Sequence, residues 1–535
     1  MDAILSLTRS NAAPWRFTFL VKLLALTALV MLADRLFYRA ADAGATLGLF
    51  VLAVLAVIVA LRPEVRRSWP ALAAAGAANW FGFWLVADPG PLALLLAWGS
   101  LSLVVLLPRA EHFGNGLRWV QRLLLHSVAT PFRPLIDFIR LARARRRRPA
   151  RLDFRSIAST MTLPLIGTGL FLTLFAAANP LISNLIGEID PFRAFTGWSP
   201  LRLIFWLFVG ALVWRLLSPR LRLRRGRTEP AIDWLDLPGI STTSVTISLI
   251  AFNILFAMQN GLDLAFLWSG AALPDGMTLA EYAHRGAYPL IGTALLAGGF
   301  VLLTTRSGSE MARSGAIQRL VYLWLAQNIF LVSSTMLRTI GYIQVYQLTE
   351  LRIQALVWMT LVAVGLLLIC LRLALGKSSV WLINANLAAA ILVLSASVAI
   401  DYHRIAAGWN VRHAREVGGR GAALDLCYLN RMGDSALLPL IELESRRLPP
   451  ELRDRVVSVR AGLVDRLEWQ QAGSGWDWRG ARRLATARTL IAARKLPGSP
   501  AGERLCDGRL LKRLEVAPPA PAPAPPQPLT PAGAQ

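Results

Sequence analysis

Between Phe17 and Ile400 one pattern recurs: an apolar run, a short polar break, then another apolar run. A helix rises about 1.5 Å per residue, so about 20 apolar residues cross the hydrocarbon core of a bilayer. The pattern predicts about eleven membrane spans: Phe17–Ala33, Ala43–Leu61, Pro70–Ala87, Pro91–Leu107, Ile157–Ile186, Pro200–Leu217, Thr242–Met258, Ala287–Thr305, Ala316–Leu337, Ile353–Leu375 and Ser379–Ile400. Between the fourth and fifth, "GLRWVQRLLLHSVATPFRPLIDFIRLARARRRR" mixes apolar and basic residues at helical spacing, the mark of a helix lying along a membrane surface.

After Asp401 the pattern changes. Leucines and valines at helical spacing, separated by Pro-Pro and Gly-rich breaks, predict three to five soluble helices up to Val516. The tail "APPAPAPAPPQPLTPAGAQ" lacks apolar periodicity and reads as an extended, disordered end. The expected fold class is all-α: a polytopic transmembrane helix bundle with a small C-terminal helical extramembrane domain. The expected divisions are 1–108 with four spans, 109–156 as a basic amphipathic segment, 157–400 with seven spans, 401–516 as the helical domain and 517–535 as the tail.

Composition agrees, with 55% hydrophobic and 17% charged residues and a mean hydropathy of +0.48, too apolar for a soluble protein of 535 residues. The net charge of +25 would fit a nucleic-acid binder if it were spread over a soluble surface. Instead it concentrates in breaks between apolar runs, at Arg143, Arg145, Arg146, Arg147 and Arg148 and again at Arg220, Arg222, Arg224, Arg225 and Arg227. Clusters so placed set membrane orientation and attract anionic lipid headgroups, so the expected partner is the bilayer and not nucleic acid. With a cytoplasmic N-terminus, these clusters all fall inside. Eleven spans then put the region after Asp401 outside, in the periplasm of a Gram-negative cell. Phe17–Ala33 follows Arg9 and Arg16 without a clear cleavage site and reads as an uncleaved signal anchor in the inner membrane.

Candidate chemistry is sparse. Many span amides, among them Asn253, Asn260, Gln327 and Asn328, suit interhelical hydrogen bonds or a polar pathway. "PLIGTGL" at Pro164 and "PLIGTAL" at Pro289 open spans of opposite direction, the seed of an inverted-repeat reading. Asp34 and Asp42 flank the first outer loop, where a carboxylate could serve a lipid-linked transferase. No HExxH, GxxxxGK[ST] or GxSxG occurs, and the five histidines form no zinc pattern, so no metal or cofactor is expected. Cys427 and Cys506 share the soluble region, where an oxidising compartment would pair them.

The stretch "YIQVYQLTELRIQALVW" interrupts the apolar pattern with polar groups. Tyr342 and Tyr346 share a face if helical, Thr349 caps the next helix, and Glu350 favours its positive end. Arg352 opposes that end and is expected to reach a carboxylate or outer headgroups. The block resembles the pattern Y-x-x-x-Y-G-L-T-x-x-R of a bacterial membrane-protein family known as domain of unknown function 4173, closely allied to group 4153. Tyr342, Tyr346, Leu348, Thr349 and Arg352 match, while Gln347 stands where the pattern has glycine. "GMTLAEYAHRGAYPL" resembles the family's outer loop through Tyr282, Arg285 and Gly286. The post-membrane helices match through Asn410, Asp425, Tyr428, Leu429 and Asp434. The resemblance implies a multi-pass envelope protein and no catalytic residues.

Topology places Glu281, Tyr282, Arg285, Tyr342, Tyr346, Thr349, Glu350 and Arg352 on one side, as a polar outer cluster beneath the C-terminal domain. The leading expectation is a non-enzymatic envelope sensing, signalling or scaffolding protein that contacts other envelope proteins. A secondary transporter is the second reading, and a lipid-linked periplasmic transferase the third.

Overall fold

The computed structural model describes residues 15–38, 44–110, 114–129, 199–217, 242–265 and 314–511, with isolated positions between 292 and 300. Among these residues the fold is all-helical, apart from one antiparallel bridge between Arg504 and Leu510. The bundle helices are α1 (Trp15–Ala33), α2 (Thr46–Leu61), the short α3 (Pro63–Arg67), α4 (Trp69–Ala87), α5 (Pro91–Leu106), α6 (Gly116–Ala129), α7 (Pro200–Leu217), α8 (Thr242–Asp263), α9 (Gly315–Tyr346), α10 (Glu350–Ala374) and α11 (Ser379–Ala399). Then come α12 (Tyr402–His413), α13 (Leu426–Arg431), α14 (Leu437–Glu444), α15 (Pro450–Ala472) and α16 (Trp478–Arg494).

Seven helices, α4, α5 and α7 to α11, are long and apolar enough to cross a membrane, which marks the chain as a membrane protein. Helices overlie nine of the eleven expected spans; α2 stops at 16 residues, whereas α5 is continued by a 3-10 turn to Arg109 and so reaches 19. Ile157–Ile186 and Ala287–Thr305 lie outside the described residues, as do both PLIGT segments and the tail. Among the described residues seven helices qualify, against about eleven expected along the whole chain.

Local chemistry fixes the helix starts. Pro70 and Pro91 sit in the first turns of α4 and α5, where a missing N–H costs nothing. Ser378 and Asp401 cap α11 and α12, the latter through Arg404 N–H at 2.9 Å.

Packing divides the bundle in two. The first apolar core joins α1, α2, α4, α5 and α7. Small buried residues of α4, Ala71, Ala74, Ala78 and Gly82, let α2 approach closely. A Cβ on Gly48 of α2 would lie 2.5 Å from the Gly82 carbonyl oxygen, so any side chain there would separate the helices. The second core joins α8 to α11. Here the amides are used between helices: Asn253 Nδ2 donates to the Leu320 carbonyl at 3.1 Å, Gln327 Nε2 to Asn253 Oδ1 at 2.8 Å, and Asn260 Nδ2 to the Gln327 carbonyl at 3.1 Å. Asp263 and Arg338 add a buried ion pair between α8 and α9. The two halves meet where α11 lies against α4 and α5.

Helices α12 to α16 form a third apolar core around Leu429, Leu437, Leu440, Ile441 and Val456. It also takes in Ile343 of α9 and Leu348 of the α9–α10 turn, so this domain grows directly from the end of the bundle. A disulfide joins Cys427 of α13 to Cys506, whose Cα atoms are 4.9 Å apart. Closing a loop of 79 residues stabilises the fold by roughly 4 to 5 kcal/mol in the chain-entropy model.

Candidate functional site

The turn between α9 and α10 is built around one guanidinium. Tyr342 and Tyr346, one helical turn apart, bring their ring centroids to 4.8 Å. Arg352 folds back over Tyr342, with Cζ 4.2 Å from the ring centroid. Its Nη1 donates to the Tyr346 carbonyl at 3.1 Å and to the Gln347 carbonyl. These are the exposed carbonyls at the negative end of α9, where a cation is favourable. The expected carboxylate or headgroup partner is thus replaced by a helix end and a ring. Arg352 sits in the first turn of its own helix because it caps the preceding one.

Gln347 follows α9 with φ at 80° and ψ at 162°, a conformation that favours glycine. The backbone thus takes a glycine-type turn although the residue is glutamine. Gln347 Nε2 donates to the Ala423 carbonyl, tying the turn to the C-terminal domain. Next, the Leu348 N–H donates to Asn410 Oδ1 at 2.7 Å, and Asn410 Nδ2 returns a bond to the Leu348 carbonyl at 2.9 Å. Thr349 Oγ1 caps α10 through Arg352 N–H at 3.4 Å, and the Glu350 N–H donates to the Tyr428 hydroxyl at 3.1 Å. Burial raises the Tyr428 phenol above its ordinary pKa.

Beside this turn runs the seam between domain and bundle. Arg483 of α16 bridges Asp401 and Asp434, and Ser435 Oγ donates to Asp401 Oδ1 at 3.1 Å. Arg479, one turn earlier, pairs with Asp88 in the α4–α5 loop and donates to the Ala399 carbonyl at 3.0 Å. Its guanidinium lies 5.1 Å from the Trp84 ring centroid. At the α1–α2 connection the Ala45 N–H donates to the Trp476 carbonyl at 2.7 Å. A Cβ on Gly44 would sit 2.3 Å from that oxygen, so the approach requires glycine.

A cavity of about 560 Å³ opens along the seam. Its polar end carries Asp88, Glu350, Asp401, His403, Asp434 and Arg483. His403 Nε2 lies 2.7 Å from Glu350 Oε2, and Gln354 Nε2 donates to Glu350 Oε1 at 2.8 Å. Its other walls are Val357, Trp358 and Leu361 of α10 with Val393 and Leu394 of α11. Burial pushes the Asp88 carboxyl above its ordinary pKa, opposed by Arg479 and Arg483. Half of that side chain remains accessible, which limits the shift. Among the described residues no three metal-ligating side chains converge.

Of the expected outer cluster, Tyr342, Tyr346, Thr349, Glu350 and Arg352 lie in this turn, and Glu350 reaches the cavity. Glu281, Tyr282 and Arg285, the arginine clusters 143–148 and 220–227, and Asp42 lie outside the described residues. Asp34 does not line the cavity. Its carboxylate accepts from Arg202 and from Trp206 Nε1 at 2.8 Å, clasping α1 to α7. Sequence reasoning passed over Asp88, Arg479 and Arg483. The available signal was an aspartate in the tight break "ADPGP" between two apolar runs, and arginines four apart on a helix.

A family model described as Domain of unknown function (DUF4153) matches residues 18–443, the group named above as closely allied to 4173. No curated protein and no solved structure matches the chain. The match covers the bundle, the α9–α10 turn and the carboxylate side of the seam, whereas Arg479, Arg483 and Cys506 lie beyond it.

Proposed function

This chain belongs to the DUF4153 family, a domain of unknown function, and from its geometry we propose a non-enzymatic inner-membrane protein that couples a periplasmic helical domain to its membrane bundle, in sensing or scaffolding. The observation that carries this reading is the seam. One domain grips the α1–α2, α4–α5 and α9–α10 connections and the end of α11, all at one end of the bundle. A domain so attached reports its own displacement to several membrane helices at once. The arginine clusters, in breaks that alternation assigns to the opposite end, support placing this domain outside.

Two features weigh against the rival readings. Asn253, Asn260 and Gln327 each donate a hydrogen bond between α8 and α9, the use that helix packing makes of such groups. Asp34 is held by Arg202 and Trp206, which takes that carboxylate away from a transferase reading.

Labelling of Cys427 and Cys506 in intact spheroplasts with a membrane-impermeant maleimide tests the placement. Labelling only after reduction is expected; labelling that requires lysis would place the domain in the cytoplasm and sink the reading. Asp88→Lys, which sets a cation against Arg479, tests coupling. The variant is expected to reach the membrane at normal abundance yet fail to complement any phenotype of a deletion strain.

A further inference from the structure

The seam cavity is amphipathic along its length, and the direction of that change bears on what fits it. Glu350 stands at its polar end, and Leu361, on the same wall, lies eleven residues further along α10. At 1.5 Å per residue the whole wall runs about 16 Å, close to the hydrocarbon depth of one leaflet, polar at Glu350 and Gln354 and apolar from Val357 to Leu361. The opposite wall gives the same reach, from Ile400 back to Ala390 of α11. A pocket of this form matches a molecule with a chain at membrane depth and a head at the interface.

Charge selects the head. Asp88, Glu350, Asp401 and Asp434 set four carboxylates at the polar end against the guanidinium groups of Arg483 and Arg479. The carboxylates thus outnumber the guanidinium groups by two. An anionic head is repelled there. A protonated primary amine supplies up to three donors and can share carboxylates already held by arginine. A trimethylated ammonium carries the same charge without those donors.

We infer that the seam cavity holds a membrane amphiphile with a primary ammonium headgroup. The shared chemistry is available from an aminophospholipid or from a phosphate-free long-chain amine. The inference rests on reading the seam as the receiving site of the proposed coupling, but the two can fail separately. The maleimide experiment concerns the side of the membrane, whereas occupancy of the cavity does not depend on it.

The test is native mass spectrometry of the delipidated full-length protein in neutral detergent, offered equal amounts of phosphatidylethanolamine, phosphatidylcholine and phosphatidylglycerol. Phosphatidylethanolamine is expected to be retained at least about fivefold over the other two. Glu350→Gln and Asp88→Asn are each expected to reduce that preference, and Leu361→Trp, which fills the apolar end, to abolish retention. A separate arm offers sphingosine: competition with phosphatidylethanolamine shows that the ammonium suffices, and failure to compete assigns the aminophospholipid. Equal retention of all three lipids, preference for phosphatidylglycerol, or unchanged preference in both carboxylate variants would overturn the inference. Should Leu361→Trp not yield folded protein by size exclusion, the two carboxylate variants decide.

Discussion

Arg352 lies over the ring of Tyr342, a residue on the preceding helix, and its guanidinium closes the carbonyl end of that helix. One side chain thus holds two long helices at a fixed elbow. Arg352→Ala is expected to lower stability by about 1.5–3 kcal/mol, the range for hydrogen bonds to a charged group. Arg352→Lys keeps the charge but loses the planar fork and should fall between. Thermal unfolding in detergent separates the three proteins; equal midpoints would show that the elbow holds without this clasp.

Gln347 gives a prediction of opposite sign. Its backbone occupies a region that costs of order 1–3 kcal/mol for a residue other than glycine. Gln347→Gly relieves that strain but loses the bond to Ala423 and loosens the unfolded chain, so a small net gain of about 0.3 kcal/mol is expected. Gln347→Ala keeps the strain and loses the bond, and should be less stable than the parent. Denaturation midpoints ordered Gly, Gln, Ala would agree; glycine at the bottom would not.

Arg483 is nearly buried between two aspartates. Replacing it with Gln leaves Asp401 and Asp434 facing each other without a counter-ion, at an expected cost of about 3–5 kcal/mol. Adding Asp401→Asn and Asp434→Asn removes the stranded charges while leaving a competent cap on α12. The triple variant should recover much of the loss, and a triple variant as unstable as Arg483→Gln would show that the charges are not the cause.

Asp477 carries a pH dependence. It caps α16 through the Gly480 N–H at 2.6 Å and accepts from Gln470 and Gln471 Nε2, both at 3.1 Å. Burial nevertheless raises its pKa above the ordinary value. A carboxyl raised on folding binds its proton more tightly in the folded state. Its contribution is fully present below the unfolded value and is lost as pH rises through the folded one. Asp477→Asn has no such titration. Relative to the variant, the parent should therefore gain stability as pH falls from 7 into the carboxylate range. A gap in unfolding temperature independent of pH would contradict the shift.

The helices were legible because an apolar run near 20 residues has few other uses, and α9 to α11 fall where those runs lie. The elbow was partly legible. Thr349 as a cap depends on neighbours in sequence and could be read directly, whereas the partner of Arg352 depends on how α9 ends. Gln347 stands where the family pattern has glycine, and the backbone there takes a glycine-type conformation because Arg352, Ala423 and Asn410 hold both sides of the turn. The seam was illegible for a different reason. Asp88 and Arg479 are 391 residues apart, and Asp34 and Arg202 are 168 apart. A carboxylate beside a span looks the same in sequence whether it is destined for a substrate or for a distant arginine.

Ile343 and Leu348 belong to the apolar core of the C-terminal domain although they precede α10 and α11 in the chain. The domain is therefore tied shut around a part of the membrane bundle, and no single cut separates the two. A fragment beginning at Asp401 would lack two pieces of its own interior and expose the gap they fill. In mechanical terms the domain and the elbow form a hub with two long spokes, and rotation at the hub is what α9 and α10 would carry to their far ends.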